Sequence, residues 1–454
     1  MDNKDSGSTG MDRRAFLAST AVGAVLAGGL RSSAGQATTR AAPKKKGPGD
    51  LNVAIIGAGA QGKVLMESCV KIPGIRFRAL CDIWEYSQRY GQRWLKSRGH
   101  VVNVYEDYRE LLAQEKDLDA AIIATPDWVH AEHANACMNA GLNVYCEKEM
   151  SNDLAKARSM VLTARKTGKL LQIGHQRRSN PRYLHAIGKL LLDTKLLGRV
   201  MQGYGQWNRA VSADIGWPRK YTLSAEKLSK YQYDSMTRFR NWRWYKRYGG
   251  GPIVDLGSHQ IDIFSWVFRA DPRSVVASGG IDYYKQHEWF DNVMCIYEFR
   301  NDQGAARAFY QVQTTTRYGG FHEAFMGENG TLVISEVPRD GNWVEREINA
   351  PDWNQYVKQG LLNELGAKIE PVATRNVVLD ARVSPPLPKW PLPIDMAKPA
   401  HMPHLENFFD AIRLGKPLNC PAEIGYETAV AVLSVNKAVE TGEKIEFEEK
   451  DFVV

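Results

Sequence analysis

A glycine-rich loop near the start of the chain constrains the fold more than any other feature. The stretch NVAIIGAGAQG, residues 52–62, places this loop directly after a short apolar run that is typical of a buried strand. Gly57 permits a tight turn, Gly59 lets the backbone approach a pyrophosphate, and Gly62 lets the following helix pack against the strand. Asp82 ends the next predicted strand about 20 residues further on, where such loops place an acid for the ribose hydroxyls. The pattern predicts a dinucleotide-binding site.

The acid at Asp82 also bears on which dinucleotide is bound. Its carboxylate would accept hydrogen bonds from the adenosine ribose and would repel a 2′-phosphate, which favours NAD. Arg89 follows on the next predicted helix and could offset that repulsion, so NADP stays open. Gln61 belongs to the glycine loop, and we expect it to contact the cofactor.

The pattern of apolar residues changes along the chain. From Leu51 to about His175, short apolar segments alternate with helical segments, which indicates a parallel, doubly wound sheet. Beyond that point, longer segments alternate polar with apolar residues between Gly, Asn and Asp, and two helical stretches end the chain. We predict an α/β protein with an N-terminal Rossmann domain over residues 51–175. Residues 176–454 should form a second α/β domain with C-terminal helices and a large, mostly antiparallel open sheet.

The first residues resemble an export signal. Arg13 and Arg14 precede an unbroken run of small apolar residues, which matches a twin-arginine signal, and small residues near Ala37 suit a signal peptidase. We expect a signal peptide over residues 1–37 and a linker over residues 38–50, with the mature protein exported to the periplasm. A basic tail on a cytoplasmic enzyme is the alternative.

Export by this route has a consequence for the cofactor. The twin-arginine route carries folded proteins, so a dinucleotide bound in the cytoplasm can leave inside the protein. Because no nicotinamide pool exists outside, the cofactor would have to be retained and recycled in place.

Composition narrows the possible partners. With 44% hydrophobic and 24% charged residues, the chain is typical of a globular protein, and no stretch after the signal approaches the roughly 20 apolar residues of a membrane span. The net charge of +8 is mild, and its basic stretches carry no nucleic-acid-binding motif. The six cysteines show no metal-ligand spacing. We therefore expect no nucleic-acid partner, no stable membrane insertion after cleavage and no metal.

Three ionisable residues share one face of a predicted helix. In PIVDLGSHQIDIFSW, Asp255, His259 and Asp262 stand at positions i, i+4 and i+7 of an otherwise apolar stripe. Such a stripe is a candidate catalytic site, although a structural histidine beside a helical ion pair would give the same pattern.

Several motifs along the chain together resemble one family. They are ATPDWVH (124–130), YCEKEM (145–150), GHQRRSNP (174–181), GGGPIVDLGSHQIDIFSWVF (249–268) and HLENFFDAIRLGKPLNCPAEIGYETAVA (404–431). With the glycine loop, they resemble the Gfo/Idh/MocA family, named for glucose-fructose oxidoreductase, inositol dehydrogenase and rhizopine catabolism. The resemblance implies a nicotinamide cofactor, sugars or polyols as substrates, and oligomer contacts through the open sheet, so we expect a homo-oligomer.

The resemblance also implies residue roles. Lys148, Asp255 and His259 match the family's catalytic positions. Histidine titrates near neutrality, so we assign His259 as general acid/base, Asp255 as its orienting or hydroxyl-binding partner, and Lys148 as the cation that stabilises the alkoxide. Asp262 would support the helix. Further cofactor contacts are expected from Thr125, Pro126, His130, Glu147 and Lys148.

Two arginines follow the last predicted strand of the first domain. Arg177 and Arg178 lie at the end of the sheet where open α/β sheets bind ligands, so we expect one of them to face the substrate or cofactor. A structural ion pair is the alternative. The tryptophans and tyrosines between Tyr204 and Tyr248 could stack on a sugar or belong to the core.

One residue departs from the family pattern. The family usually has proline after the Glu-Lys pair, whereas this chain has Glu149, which could reposition the ammonium group of Lys148.

These observations favour an exported NAD(P)-dependent oxidoreductase that acts on the CH–OH group of a sugar, polyol or glycoside. The alternative is a redox-neutral glycosidase, lyase or epimerase that works through a transient keto-sugar, with Glu149 as an extra acid/base. A non-catalytic sugar sensor and an ordinary NAD-exchanging dehydrogenase are further alternatives.

Overall fold

The computed structural model describes residues 47, 49–337, 341–364 and 387–454. The predicted signal peptide, residues 1–37, and all but three residues of the predicted linker, 38–50, lie outside this part of the chain. Across the part that is described, no helix combines the length and apolarity needed to cross a membrane.

The first sheet has six parallel strands in the order β3-β2-β1-β4-β5-β6. Its order reverses between β1 and β4, the point where open α/β sheets bind ligands. The elements are β1 (Leu51–Ile56), α1 (Ala60–Cys69), β2 (Ile75–Cys81), α2 (Glu85–Lys96), β3 (Asn103–Tyr105), α3 (Tyr108–Gln114), β4 (Ala120–Ile123), α4 (His130–Asn139), β5 (Asn143–Cys146), α5 (Leu154–Thr167) and β6 (Leu171–Ile173).

The second sheet has nine strands in the order β14-β13-β12-β11-β7-β10-β9-β8-β15. All neighbours are antiparallel except β7 and β10. The strands are β7 (Val200–Asn208), β8 (Pro272–Gly280), β9 (Asn292–Asn301), β10 (Gly304–Gln313), β11 (Phe321–Gly327), β12 (Gly330–Ile334), β13 (Trp343–Arg346), β14 (Lys389–Pro391) and β15 (Ile445–Glu446). The helices are α6 (Pro181–Tyr183), which continues as a π-helix over Leu184–Asp193, α7 (Ala225–Lys230), α8 (Met236–Arg240), α9 (Gly251–Phe268), α10 (Asn354–Lys358), α11 (Met402–Leu414) and α12 (Ala422–Thr441). A parallel sheet followed by a mostly antiparallel one confirms the predicted fold class.

Helix α9 positions the candidate catalytic residues. It is apolar on nearly all sides and is buried between the second sheet and α12. A Cβ added at Gly257 would lie 2.9 Å from the ring of Tyr310 on β10, so this glycine lets the helix lie close against the sheet. Asp255 and His259, one turn apart on α9, face the first sheet across a cleft.

A segment between β7 and α9, residues 209–248, covers one side of that cleft; we call it the cover segment. The indole nitrogen of Trp84, after β2, donates to the carbonyl of Tyr221 at 2.7 Å. Glu106, after β3, accepts from Lys227 at 2.6 Å. The two parts also share a separate apolar cluster, formed by Trp84, Trp128, Leu223, Leu228, Tyr233, Met236, Tyr245 and Tyr248.

All six cysteines, at positions 69, 81, 137, 146, 295 and 420, are buried and none forms a disulfide. They act as small apolar core residues, as their apolar sequence context indicates.

Close packing of α12 on the first sheet gives a test of the fold. A Cβ added at Gly425 would lie 2.5 Å from the side chain of Ile173 on β6, whereas nothing lies within 4 Å of one added at Gly188. We expect Gly425→Ala to lower the free energy of unfolding by about 1–3 kcal/mol through overpacking. Gly188→Ala should leave it unchanged or raise it by up to about 1 kcal/mol. Urea unfolding followed by circular dichroism measures both, and equal stability of the two variants would contradict the packing.

Candidate active site

A cleft of about 880 Å³ lies between the carboxyl ends of the first sheet, the face of the second sheet and the cover segment. Its size suits a cofactor together with a small substrate. Of the predicted site residues, it is lined by Gly57, Gly59, Gln61, Asp82, Thr125, Pro126, Glu147, Lys148, Asp255 and His259. Gly62, His130, Arg177 and Arg178 lie outside the lining.

The glycine loop fits a dinucleotide. Gly57 has a φ of +93°, and a Cβ there would lie 2.6 Å from the carbonyl oxygen of Ala124. A Cβ at Gly62 would lie 2.0 Å from the carbonyl oxygen of Gly57, so this glycine supports the turn rather than touching the ligand. Nothing lies within 4 Å of a Cβ at Gly59, which faces the cleft. The loop therefore leaves open space where α1 begins, and helix N-termini attract phosphates.

Asp82 lies where the adenosine ribose would bind. Its carboxylate accepts from the N–H groups of Ala58 and Trp84, each at 2.8 Å, and burial raises its pKa to about 6. Arg89, the predicted partner of a 2′-phosphate, is instead paired with Glu85 at 2.5 Å on an exposed face of α2. This arrangement fits NAD better than NADP.

The loops after β4 and β5 complete the cofactor side. Glu147 accepts from the side-chain amide of Gln61 at 3.1 Å, and the same amide nitrogen lies 2.9 Å from Nε2 of His401. His401 precedes α11 and lines the cleft, a contact that no local motif indicated. Across the residues that the structure describes, no group of three or more His, Cys, Asp or Glu side chains is arranged to hold a metal ion.

The placement of His130 corrects the expectation that it contacts the cofactor. Its ring is fully buried, with Nδ1 2.8 Å from the carbonyl oxygen of Glu149 and Nε2 2.7 Å from that of Thr125. It joins the loops after β4 and β5 from behind the cleft, so its role is to position them.

Arg177 and Arg178 are also structural, which corrects the expectation that one faces a ligand. Arg177 is buried, donates to Glu336 at 3.0 Å and forms an ion pair with Glu323. Arg178 donates to both carboxylate oxygens of Asp262, at 2.8 and 3.0 Å. These pairs hold the loop after β6 to the second sheet and to α9.

The predicted catalytic lysine and aspartate are in contact. The Lys148 ammonium donates to the carbonyl oxygen of Asp255 and lies 3.3 Å from its Oδ1. Nε of Arg243 donates to the same Oδ1 at 2.9 Å. Burial opposes the charge on Asp255, but Arg243 and then Lys148 outweigh it and hold the pKa of that carboxyl well below its usual range.

His259 lies one turn further along α9, with its ring centroid 5.4 Å from that of Trp207. Burial, and then the positive charges of Lys148 and Arg177, hold its pKa well below the usual histidine range, so the ring is neutral and can accept a proton. Within the described part of the chain, the carboxylate of Asp255 is bound by Lys148 and Arg243 and not by His259. Asp255 is therefore placed to orient the lysine rather than the histidine, and its other expected role, binding the substrate hydroxyl, stays a prediction.

Besides His401, cleft residues to which the motifs gave no role include Asp127, Arg209 and Arg243, and Trp207 also lines the cleft. Asp127 is nearly fully buried, and burial raises its pKa to about 7 against the opposing effect of Arg243. Asp127 belongs to the ATPDWVH motif, whose other residues were expected to contact the cofactor. An acidic residue within that motif was the sequence signal that could have indicated a role for Asp127. Trp207 and Arg243 belong to the aromatic-rich stretch that was left open between core and site.

Glu149 points away from the cleft. Its peptide bond with Lys148 is cis, its carboxyl is 1% exposed, and it accepts from the N–H of Met150 at 2.7 Å. Burial raises its pKa to about 8. It is not placed to exchange protons with a ligand in the cleft.

The fold combines a Rossmann-type parallel sheet, with a glycine loop that fits a dinucleotide, and a second, mostly antiparallel sheet. A family model described as an oxidoreductase family with an NAD-binding Rossmann fold matches residues 51–175, and the model of the GFO/IDH/MocA C-terminal domain matches residues 189–333. The chain therefore belongs to the Gfo/Idh/MocA family, which confirms the resemblance and the NAD-binding fold.

Some of the proteins that this chain resembles are named for sugar substrates. D-glucoside 3-dehydrogenase of Escherichia coli K12 is 28% identical over 219 residues, which cover 48% of this chain and 54% of that protein. The chain thus spans about half the length of the curated relatives it matches. Levoglucosan dehydrogenase in complex with NADH has a TM-score of 0.64 at 18% identity, covering 88% of this chain and 99% of that one. Aldose-aldose oxidoreductase of Caulobacter crescentus has a TM-score of 0.63 at 18% identity, covering 88% and 100%. At these identities, the structural matches show the fold alone.

The contacts of Lys148 and His259 generate a test of their roles. We expect Lys148→Met and His259→Ala each to lower kcat by about 10²- to 10³-fold, because each removes a charge or proton acceptor from the reacting hydroxyl. Both should still retain nucleotide, since neither forms the glycine loop. Reduction of bound nucleotide by added sugars measures kcat, and Lys189→Met on an exposed helix face is the control. An unchanged rate in either variant would contradict the assigned role.

Burial of Glu149 generates a test of stability against pH. Because its folded pKa of about 8 lies above the usual value of 4.5, Glu149 stays protonated in the folded protein while the unfolded chain ionises, so folding stability falls as the pH rises between these values. Glu149→Gln avoids that loss, so its stability relative to the native protein should rise by up to about 4 kcal/mol from about pH 5 to pH 8. Thermal unfolding across this range measures the difference, with Glu110→Gln on the exposed face of α3 as the control. Parallel curves for native protein and Glu149→Gln would contradict the buried, protonated state.

Proposed function

We propose that the protein is an exported oxidoreductase that moves a hydride between the CH–OH group of a sugar, polyol or glycoside and a tightly retained NAD. The observation that carries this proposal is the meeting of Lys148, Asp255 and His259 in the cleft that the glycine loop opens into. D-glucoside 3-dehydrogenase and levoglucosan dehydrogenase, named for sugar substrates, support the substrate class.

Each of the main cleft residues has a separate role in the proposed reaction. When bound, the nicotinamide supplies the hydride acceptor and donor. His259, neutral and buried, takes the proton of the substrate hydroxyl. The ammonium of Lys148 stabilises the alkoxide that develops on the same oxygen. Asp255 and Arg243 hold that ammonium in place. In the reverse direction, His259 returns the proton to the product alkoxide.

Retention of the cofactor is supported by the cover segment. Glu106 accepts from Lys227 at 2.6 Å, from Tyr231 at 2.8 Å and from Lys230 at 3.3 Å. These three contacts, with the Trp84–Tyr221 hydrogen bond, join the cover segment to the loops on which the adenosine half would bind. These contacts would slow the release of a nucleotide bound beneath the segment.

Export is supported by the twin-arginine pattern at Arg13 and Arg14. A retained nucleotide would let one sugar be oxidised and a second carbonyl compound be reduced in the same cleft. The aldose-aldose oxidoreductase, whose name describes such a pairing, shares this fold. The proposed location is the periplasm.

A redox-neutral glycosidase, lyase or epimerase is the second candidate. It needs a further proton carrier beside His259, and Asp127 supplies a buried carboxyl on the cleft lining with a pKa of about 7. Glu149, the candidate from sequence, is directed away from the cleft.

We also propose a homo-oligomer built on the outer face of the second sheet. Val276, Met294 and Ile296 are exposed there on β8 and β9, an apolar face that a second copy would cover. Light scattering of the purified protein measures this state directly.

The retained cofactor gives the first test of the proposal. Periplasmic protein should begin near Ala37 and, once denatured, should release about one equivalent of NAD, identified by absorbance and mass. Glu106→Ala should speed exchange of bound NAD for isotope-labelled NAD roughly fivefold, because surface ion pairs contribute up to about 1 kcal/mol. Glu110→Ala, on an exposed face of α3, is the control. An empty protein that turns over only with added NAD would contradict retention and identify an ordinary dehydrogenase.

A further inference from the structure

Three cations lie near the reacting residues on the cleft lining. Lys148 and Arg243 are two cations, yet they share one carboxylate, that of Asp255. Arg209 is a third cation on the lining of the same cleft. The nearby acid Asp127 is fully ionised only above its pKa of about 7. A cation on the lining that has no carboxylate partner would attract an anionic group more strongly than a neutral sugar.

Arg209 differs in its pairing from Arg109 and Lys230, two other cations on the lining. Arg109 is paired with Glu132 at 2.5 Å, and Lys230 is paired with Glu106 at 3.3 Å. Within the part of the chain that the structure describes, no carboxylate lies within ion-pair distance of Arg209. Its guanidinium is exposed to the cleft and is free to bind a ligand.

The backbone of Arg209 is fixed at the end of a rigid element. It is the first residue after β7, and its N–H donates to the carbonyl of Gln313 at the end of β10 at 2.8 Å. Its guanidinium lies 5.3 Å from the ring centroid of Trp207. The same indole stacks on Phe321 at 4.3 Å and lies 5.4 Å from the ring of His259. One indole thus contacts both the proposed proton acceptor and the unpaired guanidinium.

The electrostatics of the reacting groups agree with this geometry. Arg209 adds to the effect of Arg243 and Lys148 in holding the pKa of Asp255 down. After burial, positive charges are also what hold the pKa of His259 down. Positive charges therefore act on both of these proposed reacting residues.

We propose that the substrate is a sugar acid whose carboxylate is bound by Arg209 while a ring hydroxyl reaches His259 over the indole of Trp207. A guanidinium binds a planar carboxylate through two parallel hydrogen bonds, which fixes orientation as well as affinity. In a hexuronate, the carboxylate on C5 lies across the ring from the C2 and C3 hydroxyls, so both ends can be engaged at once. This inference rests on the proposed sugar oxidoreductase activity.

The test compares sugars that differ only at C6. D-glucose with D-glucuronate, D-galactose with D-galacturonate, and their methyl glycosides are assayed for reduction of the bound nucleotide. We expect the uronate to have at least tenfold higher kcat/KM in one or more pairs. In Arg209→Gln, the ratio of uronate to neutral kcat/KM should fall at least tenfold, mainly through KM for the uronate, and Arg209→Lys should restore part of it. Arg300→Gln, an exposed arginine on β9, should leave the ratio unchanged.

Binding is measured in parallel, so the outcome does not depend on turnover. Isothermal titration of both uronates should show binding to the native protein that weakens at least tenfold in Arg209→Gln. Preference for the neutral sugar in every reactive pair, or equal losses for both sugars in Arg209→Gln, would overturn the sugar-acid inference and leave the oxidoreductase proposal intact. If no sugar reduces the nucleotide and no uronate binds, both proposals fail.

Discussion

The contact between Lys148 and Asp255 is the interaction on which the arrangement of the site depends. Lys148 comes from the loop after β5 of the first sheet, and Asp255 comes from α9, which is packed on the second sheet. Because the ammonium bonds to both the carbonyl and the carboxylate of Asp255, it fixes the lysine on the side of the cleft where His259 lies. Arg243 from the cover segment binds the same carboxylate, so three parts of the chain meet at one anion.

Charge pairs buried behind the cleft keep these parts in register. Arg177 binds Glu323 and Glu336, which tie the loop after β6 to the second sheet, and Arg178 binds Asp262 on α9. Breaking such a pair leaves an uncompensated buried charge, at a cost of about 3–5 kcal/mol. The pairs therefore resist sliding of α9 relative to the first sheet, and they help to position the proposed catalytic residues.

The parts of the site that could be predicted from the sequence depend on local geometry. The glycine loop and Asp82 follow from a strand–turn–helix unit whose residues are close in the chain, and the helical spacing of Asp255 and His259 places both on one face. The fold class was likewise indicated by the change of polarity pattern between the two halves of the chain. The wrong expectations about Arg177 and Arg178 involve partners that are distant in sequence. No sequence feature near Arg177 indicates its ion pair with Glu323, which lies 146 residues away in the chain.

His130 is a further case in which a sequence motif did not reveal what the side chain contacts. Its motif indicates that it belongs to the cofactor loops, which is correct, but only the packing reveals that its ring contacts two backbone carbonyls behind the cleft. Three residues that the motifs did not indicate line the cleft: Asp127, Arg209 and Arg243. They lie there because the loop after β4, the end of β7 and the cover segment converge at the cleft. Motif spacing carries no information about such convergence.

The proposed retention of the nucleotide bears on how basic the proposed general base, His259, should be, and burial makes this histidine weakly basic. If the cofactor never leaves, oxidation and reduction use the same cleft, so the proton that His259 takes from one hydroxyl must be returned to another in every turnover. A histidine with a lowered pKa holds that proton weakly and gives it back readily, but it is a poor base for the first step. Lys148 compensates by stabilising the alkoxide, which makes the substrate hydroxyl more acidic. The pKa of His259 stays low, so the histidine still releases the proton readily. The fixed charge of the lysine and the weakly basic histidine together suit a site that must run in both directions.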